Sequence, residues 1–186
     1  MILKEPASDL MDIITFPEKE LLLRPITPKT AAEVWPLMQL CYPSVYQHLW
    51  ADQGQWYVDT TFSESAVLQD LQKGKSPYWI IEWKGQPVGI LRLNLEKMCP
   101  DIPQNLIALK LHRIYLHPRT HRQGIGRTLI EFILKYARQH DHQVVWLEAM
   151  DTQTDALHFY ESMGFKTTFI VEYLRDDDND GVNNDI

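Results

Sequence analysis

Ile114-Tyr115-Leu116-His117-Pro118-Arg119-Thr120-His121-Arg122-Gln123-Gly124-Ile125-Gly126-Arg127-Thr128-Leu129-Ile130 passes from an apolar run through a basic turn into an amphipathic segment. It reads as a strand that delivers a phosphate-binding turn to the start of a helix. Glycine at 124 and 126 leaves the main chain bare, so successive N–H groups can approach an anion closely. The helix behind them adds the positive end of its dipole. Arg119, Arg122 and Arg127 bring formal charge to the same mouth. An ordinary strand-to-helix connection also uses glycine for its backbone freedom, so the turn alone leaves both readings open.

The rest of the chain bounds what such a turn can belong to. With 186 residues, 45% of them hydrophobic and 23% charged, the composition is that of one soluble globular domain with a sizeable core. The net charge of -7 is mostly local, because Asp176, Asp177, Asp178, Asp180 and Asp185 crowd the end of the chain. The body is nearly neutral and shows no basic footprint for nucleic acid. Two cysteines, Cys41 and Cys99, are too few for a disulfide framework and have no neighbour at metal spacing. The start of the chain lacks the basic and apolar regions of a signal peptide, and no run approaches membrane-spanning length. The expectation is a cytoplasmic protein with reduced thiols and no membrane partner.

Taken in order, residues 1–20 read as an N-terminal extension, and Leu21-Leu22-Leu23-Arg24-Pro25 as a short strand ended by proline. Thr27-Pro28 opens a helix through Leu40, with Pro36 as a kink or break. The stretch 41–62 reads as irregular and aromatic, and Ser63 caps a helix to Leu71. Tyr78–Trp83 and Pro87–Leu95 form a hairpin about Lys84-Gly85-Gln86. A strand from Leu106 to Leu116 leads into the glycine turn. Behind it, Leu129, Ile130, Ile133, Leu134 and Ala137 mark one face of a helix from Arg127 to about Gln139. A strand at 144–149, a helix at 154–163 closed by Gly164, and a strand at 165–174 complete the order β-α-α-β-β-β-α-β-α-β. This predicts an α/β domain over 21–174, with a central mixed, mostly antiparallel sheet flanked by helices on both faces. Residues 175–186 form an acidic C-terminal tail.

A second motif stands forty residues after the first: Asp155-Ala156-Leu157-His158-Phe159-Tyr160-Glu161-Ser162-Met163-Gly164-Phe165. Alone it reads as a short helix packing on a core. Together the two motifs resemble the GCN5-related N-acetyltransferase superfamily. Its turn follows R/Q-x-x-G-x-G/A and its later helix N-x-x-A-x-x-F/L-Y-x-x-x-G-F. Gly124 and Gly126 match the turn; Ala156, Phe159, Tyr160, Gly164 and Phe165 match the helix. His121 replaces the usual Arg or Gln, and Gln153 the usual Asn. Within the superfamily, Arg113-Ile114-Tyr115-Leu116, Trp146 and the aromatic N-terminal half look most like bacterial polyamine acetyltransferases. Rival readings of the turn fail on residues. Arg127 follows Gly126 where a Walker loop needs Lys, and Leu129 stands where a dinucleotide fingerprint needs glycine.

The resemblance implies an acetyl-CoA-dependent transfer of an acetyl group to a primary amine. The main chain of Ile114, Tyr115 and Leu116 would pair with the pantetheine arm and leave an N–H near the thioester carbonyl. Arg122, Gln123, Gly124, Ile125, Gly126 and Arg127 would hold the pyrophosphate, with Gln153 and Leu157 beside the coenzyme. Tyr160 would protonate the departing thiolate; a phenol of pKa about 10 suits that donation. For the base, related enzymes often carry a Glu on the strand before the turn, where this chain has Lys110 and His112. His112 is one candidate and Glu148, the lone charge on its strand, the other; each also reads as a solvent-facing side chain.

Trp50, Trp56 and Tyr57, interleaved with Asp52 and Asp59, suit a cationic amine such as a polyamine and equally suit a packed loop. Alternatives are a non-catalytic acyl-CoA-binding module and an acetyltransferase of protein or peptide amines. His112, His117 and His121 lack a carboxylate or Cys at ligand spacing, so no metal is expected. Asp176-Asp177-Asp178-Asn179-Asp180-Gly181 copies the first half of a calcium loop without its closing Glu, and reads as a solvated end. The family's last strand has barely room over Val182–Ile186, so that edge is short or completed by a second subunit in a homodimer.

Overall fold

The computed structural model describes residues 12–73, 76–99, 103 and 105–166. The last expected strand, beyond residue 166, and the acidic tail lie outside the described residues. The chain divides after Leu147 into two compact units.

The first unit is built on a six-stranded sheet in chain order: β1 (Ile14–Phe16), β2 (Leu21–Pro25), β3 (Tyr78–Trp83), β4 (Gln86–Asn94), β5 (Ala108–Leu116) and β6 (Val144–Trp146). All neighbours are antiparallel except β5 and β6, which are parallel. Helices cover the sheet: α1 (Val34–Cys41), α2 (Pro43–Tyr46), α3 (Gln55–Phe62) and α4 (Glu64–Gln72) before β3, and α5 (Ile125–Gln139) between β5 and β6.

Strand alternation decides which side chains face which layer. Ile80 and Ile90 sit opposite each other and join Val34, Met38, Val58, Phe62 and Val67 in one buried cluster. Trp79, opposite Leu91, points the other way and meets Phe132 of α5 edge-on, with ring centroids 6.3 Å apart. The β3–β4 turn has Lys84 and Gly85 at φ of 52° and 71°, as a two-residue hairpin with the sheet's twist requires.

Several local expectations change. The helix expected from Thr27 starts only at Val34, after a 3-10 turn over Ala31–Glu33. Pro36 therefore falls in its first turn, where the missing N–H breaks nothing and no kink results. The segment expected to be irregular holds α2 and α3. Asp52 accepts from the N–H groups of Gly54 and Trp56 at 3.0 and 2.5 Å and so starts α3, while Val58 and Phe62, four apart, bury its inner face. Ser63 caps α4 as expected, accepting from Ala66 N–H at 3.4 Å. Part of the presumed N-terminal extension is ordered, since β1 pairs with β2 and Phe16 packs edge-on against Phe132 at 5.8 Å.

Where β4 meets the end of β5, the strands approach too closely for any side chain. A Cβ built on Gly89 would lie 2.0 Å from the backbone oxygen of Tyr115. Neither strand can yield without breaking the ladder, so Gly89→Ala is expected to cost about 3 kcal/mol or prevent folding. An unchanged urea midpoint for that variant would show that β5 is free to move.

Candidate functional site

Strand β5 carries the site. His117 N–H donates to Val88 O at 2.7 Å, so by strand alternation Tyr115 also spends its backbone groups on β4. The N–H and C=O of Ile114 and Leu116 then face the opposite edge. There β5 pairs β6 only over Ala108–Lys110, and β6 ends at Trp146. Among the described residues, Ile114 and Leu116 have no backbone partner on that edge, which leaves a short stretch able to add an extended ligand as a strand.

Immediately after it the chain tightens into a 3-10 turn over Pro118–Thr120. His117 Nδ1 accepts from Arg119 N–H at 3.1 Å, and the buried Thr120 donates its hydroxyl to His117 O at 2.8 Å. Arg122 and Gly124 then take positive φ, 60° and 75°, and α5 begins at Ile125. The helix starts two residues earlier than expected, because its first positions have no intrahelical N–H bond for Gly126 to weaken. Ile125, Leu129, Ile130 and Ile133 are buried and pin the helix to the sheet.

Gln123 N–H bonds Thr120 O at 3.2 Å, and Thr128 N–H is the first to bond back, to Gly124 O at 3.0 Å. The N–H groups of Arg122, Gly124, Ile125, Gly126 and Arg127 have no partner among the described residues. Alternating conformations with unpaired N–H groups at a helix start make an anion-binding concavity. Arg122 and Arg127 are both exposed beside it. The open strand edge thus runs into the turn of unpaired N–H groups.

His112 occupies a β-bulge: Arg92 faces Arg113 and Leu93 faces Leu111, leaving His112 as the extra residue. Although the residue keeps an exposed surface, packing around the ring and then the positive charges of Arg113, Arg92 and Lys110 push its pKa down to about 4. It is neutral at physiological pH and a weak proton acceptor.

On the face of β5 that carries Tyr115, the aromatic stretch gathers. Tyr42 stacks on Tyr46 and Tyr57, centroids 4.7 and 4.8 Å away, and accepts from Trp50 Nε1 at 3.1 Å. Tyr115 meets Tyr42, Tyr46 and Phe62 edge-on, and burial drives its phenol well above the usual range. Trp50 and Tyr57 are thereby joined to the site strand, while Trp56 stays 61% exposed. The interleaved carboxylates hold structure: Asp52 caps α3, and Asp59 Oδ1 accepts from Trp35 Nε1 and Gln55 Nε2, both at 2.7 Å. Tyr42 and Tyr46 belong to the aromatic stretch 41–62 but not to the acceptor residues expected from it; their four-residue spacing is the available signal.

Beneath this cluster Asp70 of α4 pairs with Arg92 Nη1 of β4, with Arg113 Nη1 of β5 at 2.8 Å and with Lys73 Nζ at 2.8 Å. Burial raises the Asp70 pKa, but the Lys73 hydrogen bond and the charges of Arg113 and Arg92 outweigh it, and the net shift is downward. Ser76 holds the other side of Arg92, accepting from Nε at 3.1 Å.

The second unit contains α6 (Thr154–Ser162), with Gln153 at its N-terminal cap and Leu157 and Tyr160 along it. Glu148, exposed, opens this unit. Gly164, at φ of 89°, ends the helix: its N–H bonds Glu161 O at 2.9 Å and Phe165 N–H bonds Tyr160 O at 3.1 Å. That double bond pattern brings the Phe165 ring to 5.8 Å from Tyr160, with Phe159 at 5.4 Å. The Gly-Phe pair thus packs an aromatic ring against the tyrosine.

Among the described residues no group of three His, Cys, Asp or Glu side chains gathers at metal distance, and no helix is long and apolar enough to cross a membrane.

N-acetyltransferase 8 of Homo sapiens is 28% identical over 142 residues, 72% of this chain and 60% of that protein. The chain spans 38% to 62% of the length of three curated relatives it matches. The fold is shared with the PaiA N-acetyltransferase of Thermoplasma acidophilum, solved with coenzyme A, at a TM-score of 0.63 and 15% identity over 78% of this chain and 89% of that one. An aminoglycoside N-acetyltransferase solved with coenzyme A gives 0.58 and 15%, over 84% and 95%. The family model for the acetyltransferase (GNAT) family matches residues 32–165, most of the chain, and the chain belongs to that family.

Proposed function

We propose that this chain is an acetyl-CoA-dependent N-acetyltransferase that moves the acetyl group directly to a primary amine, the acceptor being a small amine of polyamine type. The observation that carries the reading is the open β5 edge at Ile114 and Leu116 running into the N–H groups of Arg122, Gly124, Ile125, Gly126 and Arg127, which have no partner among the described residues. Strand-like pairing suits the amides of pantetheine, and the turn suits its diphosphate. Acetyl-CoA, when bound, supplies the acyl group as a thioester.

The protein's part is then positional and protonic. A backbone N–H at Ile114 or Leu116 stabilises the oxyanion, Tyr160 gives a proton to the departing thiolate, and His112 or Glu148 takes the proton lost by the amine. With a pKa of about 4, His112 draws that proton only weakly, so this role asks for an amine that arrives neutral. Trp50, Trp56 and Tyr57 form the acceptor's aromatic wall, where a cationic amine gains from the ring faces. The unpaired thiols of Cys41 and Cys99 fit a reducing compartment and support cytoplasmic residence.

Purified protein with acetyl-CoA and a panel of amines, with free thiol followed over time, tests the reading. Release only with small amines is the expected result. Release only with peptide amines would replace the acceptor, and coenzyme binding with no release for any amine would leave a binding module.

A further inference from the structure

The short hairpin before the family match carries a cation to the anion turn. β1 and β2 are joined through a 3-10 turn over Pro17–Lys19 and through Glu20, which takes φ of 50°. Three contacts hold this turn in place. Phe16 is paired with Leu21 across the hairpin, the Phe16 ring lies 5.8 Å from Phe132 of α5, and Glu20 O accepts from Lys84 N–H at 2.8 Å. Lys19 therefore stands on a fixed support. Its Nζ lies 3.6 Å from the point where a Cβ on Gly124 would stand.

Lys19 Nζ has no acceptor among the described residues, although Glu18 and Glu20 are its neighbours in sequence. The ammonium thus meets unpaired backbone donors of the turn, with no described acceptor between them. Gathered donors with no acceptor are satisfied by an anion that can take hydrogen bonds from several directions, as a diphosphate can.

From this juxtaposition we infer that Lys19 is a binding residue for the diphosphate of coenzyme A at this turn. The inference rests on the turn being the coenzyme site, as proposed above. It makes the N-terminal hairpin part of the site and adds a cation to Arg122 and Arg127 beside the turn.

Binding of coenzyme A, dephospho-coenzyme A and pantetheine to the parent, Lys19→Met and Lys19→Arg proteins, measured by titration calorimetry, tests it. Lys19→Met is expected to weaken coenzyme A and dephospho-coenzyme A alike by about fivefold, less at high salt, and to leave pantetheine unchanged. Lys19→Arg is expected to restore most of the loss. Unchanged binding of coenzyme A by Lys19→Met overturns the assignment while leaving the turn as the site. A loss confined to coenzyme A with its 3′-phosphate also overturns it, by moving the contact to that phosphate. A parent protein that fails to bind coenzyme A removes the underlying reading together with the role of Lys19.

Discussion

A Tyr160→Phe protein is expected to bind acetyl-CoA like the parent and to turn over about a hundredfold more slowly or worse, the usual weight of a lost general acid. The ring should keep its place, because its contacts with Phe159 and Phe165 and the backbone bond from Phe165 N–H involve no phenol oxygen. A slow enzyme with native coenzyme affinity would separate proton donation from packing. The thiolate leaving group makes a second observation possible: an acyl donor with a more acidic thiol needs less protonation and should recover part of the rate. Parent-like turnover would remove Tyr160 from the chemistry.

Asp70→Asn is expected to destabilise the fold by about 3 to 5 kcal/mol, because it removes the carboxylate that faces two buried guanidinium groups. Arg92 and Arg113 have side-chain exposures of only 3% and 12%, so water cannot replace the lost charge. In a chain of this size the thermal midpoint should fall by about 10 °C. Adding Arg92→Met should recover part of the loss by removing one of the stranded charges. The pH dependence has a definite sign. The folded-state pKa of Asp70 lies below its unfolded value, so its contribution is present above the usual carboxylate pKa of about 3.9 and is lost as pH falls through the lower folded value. The gap between parent and Asp70→Asn should therefore narrow in acid. Equal stability at neutral pH would mean that the three cations do not depend on Asp70.

The tyrosine lies in a motif that its own sequence made visible, and the aspartate does not. Helix α6 and its cap follow from Gly164, because a left-handed residue after a helix is a local backbone requirement. Asp70 looks in the sequence like any polar residue on an amphipathic helix. Its importance comes from Arg92 and Arg113, 22 and 43 residues away in the chain, and no local pattern announces that meeting. Helices α2 and α3 were missed for a related reason. Their residues have ordinary helix preferences, and in α3 the burial of Val58 and Phe62 decides the conformation.

What the sequence determined alone is the short-range chemistry: the glycine turn, the hairpin at Lys84-Gly85, the Ser63 cap, and the family to which the two motifs belong. Each rests on residues a few positions apart within one turn, cap or motif, where backbone freedom and spacing suffice. Only the tertiary structure decided that β5 leaves β6 after Lys110, that His112 bulges from its strand among cations, that Tyr115 lies within a nest of tyrosines, and that Lys19 stands beside Gly124. Those facts depend on register and on contacts between distant segments, which are set by how whole surfaces pack.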